Sequence, residues 1–119
     1  MGMTGVPVRI VNLADPRRSA DVELVVDSGA IYSVVPGSLL RQIGVQPRKV
    51  ETFSLANGGT VRRAIGDVYY EIDRSAGAAP VIFGRRGDTS LLGVVTLEAL
   101  GLQLDPLRRT LRPLKLMIA

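Results

Sequence analysis

The chain has 119 residues, 46% of them hydrophobic and 22% charged, with a net charge of +4, which fits one compact soluble domain spanning 1–119 and leaves no room for two ordinary ones. It contains no His and no Cys, which excludes Ser–His–Asp and Cys–His nucleophiles, Cys/His zinc sites and disulfides, so any acid–base chemistry rests on Asp, Glu, Lys or Tyr. The basic residues fall mostly in scattered pairs, and with aromatics at only 4% for base stacking the composition disfavours nucleic acid as a partner.

Met1–Val6 shows neither the basic start and long apolar stretch of a signal peptide nor a myristoylation pattern, which needs Ser or Thr where Val6 stands. No apolar run approaches the roughly 20 residues of a bilayer span. The expectation is a cytoplasmic protein with no membrane partner. Val6–Leu13 and Asp21–Val26 are apolar runs separated by Asp15-Pro16-Arg17-Arg18-Ser19, and they predict a hairpin. In the second run Val22, Leu24 and Val26 alternate with Asp21 and Glu23, the period of a half-buried antiparallel strand.

Gly37–Ile43, after Pro36 and before Gly44, predicts a short helix. Val50–Ala56 and Thr60–Ile65 flank Asn57-Gly58-Gly59 and predict a second hairpin, because Asn and Gly tolerate positive φ. Val68, Tyr70 and Ile72 alternate with polar neighbours, and Val81–Phe83 reads as a further short strand. Val94–Leu100, closed by Gly101, predicts a second helix. Leu111–Leu116 carries Pro113 and suits an edge strand. The order of elements echoes itself: Ile43-Gly44-Val45-Gln46 closes the first helix and Leu100-Gly101-Leu102-Gln103 the second, each downstream of an apolar run that reaches a Gly.

The motif that carries chemistry is Leu24-Val25-Val26-Asp27-Ser28-Gly29-Ala30. An apolar strand runs directly into an acid, and a carboxylate there must be hydrogen-bonded or share a proton. Gly29 permits a tight turn whose N–H groups point back at that carboxylate, and Ser28 offers a hydroxyl to lock it. The same tripeptide also serves as an ordinary Asx-turn.

In its wider context the sequence resembles the retropepsin-like (clan AA) aspartic peptidases. The resemblance rests on Val25-Val26, then Asp27-Ser28-Gly29-Ala30, two variable residues Ile31-Tyr32, and Ser33-Val34. It continues in the hairpin around Asn57-Gly58-Gly59 and in Leu91-Leu92-Gly93 followed by Val94–Leu100, so that it spans about residues 6–116. Viral members carry an acid where Ile31 stands and a more glycine-rich hairpin, which makes the bacterial and cellular type the closer comparison.

The resemblance implies an all-β, closed barrel-like fold with a flap hairpin and one or two short helices, working as a homodimer. It implies an aspartic endopeptidase without cofactor or metal, acting on extended polypeptide substrates. Asp27 would be the catalytic residue, Ser28 and Gly29 the turn that holds it, and Asn57, Gly58, Gly59 and Thr60 the flap. Ala30, Tyr32 and Leu91 would line side-chain pockets; they also read as ordinary core or edge residues. Asp88-Thr89-Ser90 lacks the Gly of a second motif, so a second chain would supply the second aspartate, and the tail Leu111–Ala119 would form intersubunit sheet. Two rivals share the sequence: a silent peptide-binding or scaffold module on the same fold, and a basic all-β RNA-binding adaptor. A domain excised from a larger protein is a further option.

Overall fold

A computed structural model of the chain describes residues 4–115 and 118. The first hairpin pairs β1 (Gly5–Val11) with β2 (Ser19–Val26), in register from Gly5↔Val25 to Val11↔Ser19. Its connection is held by the buried Asn12, whose Oδ1 accepts the N–H groups of Ala14 (2.8 Å) and Asp15 (3.1 Å). The Asn12 Nδ2 donates to the Ile43 carbonyl at 2.8 Å, so one side chain both shapes the turn and docks it on the first helix.

The chain continues through β3 (Ser33–Pro36), α1 (Gly37–Gln42), β4 (Lys49–Ser54), β5 (Thr60–Ile72), β6 (Ser75–Gly84), β7 (Leu91–Leu92), α2 (Val94–Ala99), β8 (Leu102–Asp105) and β9 (Thr110–Pro113). One sheet runs in the order β1-β2-β7-β3-β6-β5-β4, and β1 also pairs with β5 from Arg9↔Glu71 to Val11↔Tyr69. That last pairing closes a ring of six strands, which removes the open edges a small sheet would otherwise present. Among the described residues of this sheet, β4 hangs outside the ring, paired to β5.

Residues of alternating position fill the ring, as the period of two predicts: Val8 and Ile10 on β1, Leu24 and Val26 on β2, Val68, Tyr70 and Ile72 on β5, Ala79, Val81 and Phe83 on β6. Each such side chain contributes about 1.5–3 kcal/mol on burial. With few aromatics, Tyr70 is the largest fully buried side chain, and aliphatics make up most of the rest.

Several elements differ from their sequence-based bounds, most of all on the β4–β5–β6 side of the sheet. β5 is one strand of 13 residues, joining the Thr60–Ile65 and Val68–Ile72 segments. At Ile65 it changes partner, pairing with both Lys49 and Ile82. The next residue is Gly66, where a β-carbon would lie 3.0 Å from the Gln46 carbonyl and 3.1 Å from the Phe83 ring. β6 covers ten residues where only Val81–Phe83 reads as strand. Its first half, Ser75-Ala76-Gly77-Ala78-Ala79-Pro80, lacks strand propensity and is held by pairing with β5 instead.

The β4–β5 connection takes five residues, Leu55–Gly59, and the strand expected to reach Ala56 stops at Ser54. Gly58 N–H donates to Leu55 O at 3.0 Å and Leu55 N–H to Gly59 O at 2.8 Å. Gly58 alone there uses positive φ, at 88°; Asn57 acts through its side chain, accepting Gly59 N–H at 2.9 Å.

Both helices end on a left-handed glycine, Gly44 at φ 82° and Gly101 at φ 70°, as such helix ends favour. No described helix is long and apolar enough to cross a membrane. β8 and β9 form a separate hairpin, Leu102↔Pro113 to Asp105↔Thr110. The strand expected over Leu111–Leu116 is therefore Thr110–Pro113, and residues 116, 117 and 119 of the tail lie outside the described residues.

Candidate active site

β2 carries Val25 and the buried Val26 directly into Asp27, which is half-buried, and Ser28 and Gly29 are exposed. The chain thus leaves the core at the acid. β7 lies parallel to β2, with Val25↔Leu91 and Val26↔Leu92, and Asp27 N–H donates to Leu92 O at 3.1 Å. The turn closes through Ala30 N–H to Asp27 O at 3.1 Å. Gly29 N–H donates to the Asp27 carboxylate Oδ1 at 2.9 Å, a bond that fixes the side chain on its turn.

The loop after the turn is fastened from beneath. Val94 and Val95 donate their N–H groups to the carbonyls of Ala30 (2.8 Å) and Ile31 (3.0 Å). These donors belong to the first turn of α2, where N–H groups have no intrahelical partner. Ser33 and Thr96, both fully buried, share a hydrogen bond of 2.6 Å. Ser33 Oγ also accepts Gly93 N–H at 2.9 Å. The buried Tyr70 hydroxyl donates to Pro80 O at 2.8 Å. Burial drives the Tyr70 phenol well above its ordinary pKa, and side-chain hydrogen bonding with Thr96 and Ser33 opposes that rise.

A cleft of about 710 Å³ opens beside this turn. Gly29, Ala30, Ile31, Tyr32 and Leu91 form the wall nearest the acid, and the β4–β5 hairpin supplies Phe53, Leu55 and Val61 opposite. Arg63 and Asp88 close one side as an ion pair of 2.8 Å. The Arg63 guanidinium holds the Asp88 carboxyl below the usual carboxylate range, and the Arg85 N–H bond adds to it. No three His, Cys, Asp or Glu side chains of the described residues converge as a metal site.

No family model matches the sequence, and no curated protein matches it. Solved structures do. The solution structure of simian foamy virus (mac) protease aligns with a TM-score of 0.54 at 16% identity, over 79% of this chain and 91% of that one. The crystal structure of prototype foamy virus protease–reverse transcriptase aligns with a TM-score of 0.51 at 20% identity, over 98% of this chain and 12% of that one. The fold is retropepsin-like. A retropepsin-like aspartic protease from Rickettsia conorii also aligns, with a TM-score of 0.48 at 20% identity, over 87% of this chain and 85% of that one. At these identities the likeness is one of fold.

Within this retropepsin-like fold, Ala30, Tyr32 and Leu91 share the cleft with Gly29. Ser28 stands outside that lining and borders a second groove with Val94, Leu97, Leu102 and Leu114. Asn57, Gly58, Gly59 and Thr60 are exposed at the hairpin tip and stand outside the cleft lining. Asp88, the acid of the near-repeat Asp88-Thr89-Ser90, is engaged by Arg63. The Arg86-Gly87-Asp88 tripeptide is a turn, with Gly87 at φ 93° and Asp88 N–H on Arg85 O at 2.9 Å.

Sequence reasoning passed over Phe53, Leu55, Val61 and Arg63 as cleft residues, and Thr96 and Tyr70 as supports of the turn. For the hairpin a signal existed: Phe53 and Leu55 alternate with Thr52 and Ser54 on the first arm, and Val61 stands between Thr60 and Arg62 on the second.

Proposed function

We propose that the protein is an aspartic endopeptidase that completes its active site by pairing two copies, each giving one Asp27. The observation that carries this reading is the placement of Asp27: half-buried on a glycine turn, its carboxylate bonded by Gly29 N–H, beside an apolar cleft. Peptide hydrolysis needs a base to activate water and an acid to serve the carbonyl and the leaving amine. One carboxyl cannot hold both states at once. Two carboxyls close together share one proton, because both cannot ionise cheaply, and then divide the roles.

A twofold axis beside Asp27 supplies the second carboxyl with no further residue type. The exposed Ser28 would brace the two turns across that axis. An extended peptide would lie along the cleft under the β4–β5 hairpin, through main-chain hydrogen bonds of the kind a strand offers. Phe53, Val61 and Leu91 favour apolar side chains around the scissile bond.

The test is cleavage of a mixed peptide library from acid to neutral pH by wild type and Asp27→Asn. Cleavage by wild type alone, rising more steeply than linearly with enzyme concentration, supports two-chain assembly. Equal cleavage by both proteins removes Asp27 from the chemistry. A folded dimer without cleavage turns the reading toward a silent peptide-binding module.

A further inference from the structure

The cleft wall has one charged feature, and it is unusually well made. Arg63 Nε donates to Asp88 Oδ2 at 2.8 Å and Nη2 to Oδ1 at 2.9 Å, a two-pronged pair. Nη1 donates to the Arg62 carbonyl at 2.9 Å, and Asp88 Oδ2 also accepts Arg85 N–H at 2.7 Å. The two side chains are 16% and 27% exposed, against 55% and 76% for the surface pair Arg9–Asp21. Parallel bonds partly shielded from water hold geometry that an exposed pair does not.

The pair also joins separate walls of the cleft. Arg63 belongs to the arm of the β4–β5 hairpin, and Asp88 to the loop that leads through Thr89 into Leu91. Below Arg63, β5 is built into the closed sheet from Ile65 onward through β6. Above it, Thr60–Arg62 pairs with β4 alone. Arg63 stands three residues from Thr60, about 10 Å along the strand. Among the described residues, the ion pair is therefore the side-chain hydrogen-bonded tie between hairpin and body that lies nearest the tip.

We infer that Arg63–Asp88 is a positioning pair that sets the width of the cleft and the hinge of the hairpin, so that the segment from Phe53 to Arg62 moves as a unit when peptide enters. The inference rests on the peptidase reading for its ligand. It explains why a mostly apolar cleft carries two charges: neither is free to bind substrate, and each immobilises one wall. Loosening the pair costs substrate binding ahead of chemistry, because Asp27 and its turn hang on other bonds.

Hydrogen exchange of the full chain tests the tie without requiring activity. In Asp88→Asn and Arg63→Met, amides of Phe53–Arg62 are expected to exchange about tenfold faster, with Val68–Ile72 unchanged. Arg63→Lys, which keeps the charge and loses the fork, falls between. With a cleaved peptide in hand, KM rises severalfold in Asp88→Asn and kcat stays near wild type. Unchanged exchange in the hairpin overturns the inference, and so does equal acceleration throughout β1 and β5. Should wild type cleave nothing while the hairpin alone loosens, the tie stands and the peptidase reading fails.

Discussion

Gly93 lies flat against the peptide unit of Tyr32: a β-carbon on Gly93 would sit 2.5 Å from the Tyr32 carbonyl carbon and 2.7 Å from the Ile31 carbonyl oxygen. The Gly93 φ is −90°, which any residue adopts, so the requirement is for space. This approach lets the start of α2 reach the loop that follows Asp27. It is the point at which two distant segments become one site.

Gly93→Ala is expected to push Ala30–Tyr32 away from β7, at a cost of about 1–3 kcal/mol in urea denaturation. Cleavage falls further than stability, because the displaced loop is the one whose Ala30 and Ile31 carbonyls meet Val94 and Val95.

Ser33→Ala strands two buried partners, the Gly93 N–H and the Thr96 hydroxyl. Thr96→Val keeps the shape and leaves Ser33 still accepting from Gly93. Leaving a buried group unpaired costs about 1–3 kcal/mol, and Ser33→Ala is expected to be the more costly of the two. Denaturant midpoints of both variants check the order; a larger loss in Thr96→Val would move the weight of the cluster to the helix.

Alkaline pH reads out Tyr70. Burial raises its phenol pKa in the fold above the unfolded value, so the unfolded chain loses that proton first. The contribution is present in full below about pH 10, the ordinary tyrosine value, and is lost as pH rises from there toward the folded pKa. Tyr70→Phe gives up the bond to Pro80, about 0.5–1.5 kcal/mol at neutral pH, and flattens the decline above pH 10. Urea midpoints of both proteins between pH 7 and 11 test this. Parallel curves would exclude the buried phenol as the source.

Phe53→Ala opens the hairpin wall of the cleft without touching the turn at Asp27. Phe53 is half-buried and lines the same cleft as Leu91 and Tyr32. The expected outcome is a drop in kcat/KM for apolar peptides of about 10–200-fold, with the fold unchanged by circular dichroism. The same loss for peptides without apolar residues would place Phe53 in the chemistry instead.

Much of the fold was legible because its signals are local. Val8, Leu24, Val68 and Tyr70 announce their face by alternation, and Gly44 and Gly101 mark the helix ends by a conformation that other residues resist. The first half of β6 was not legible, because Ala, Gly and Pro carry no strand preference of their own. Its pairing with β5, from Asp67↔Pro80 to Ile72↔Ser75, exists only once the chain has folded back.

The candidate site divides along the same line. The amino-acid sequence by itself determined that an acid ends an apolar strand at Asp27, on a turn made possible by Gly29. These are properties of adjacent residues, and van der Waals space and backbone freedom decide them within a few bonds. Only the tertiary structure decided that Thr96 meets Ser33 across 63 residues, and that Arg63 meets Asp88 across 25. Ser33 and Arg63 stand on strands, where a slip of one residue would turn the side chain to the opposite face, and Thr96 and Asp88 come to them from a helix and a loop that local sequence does not aim.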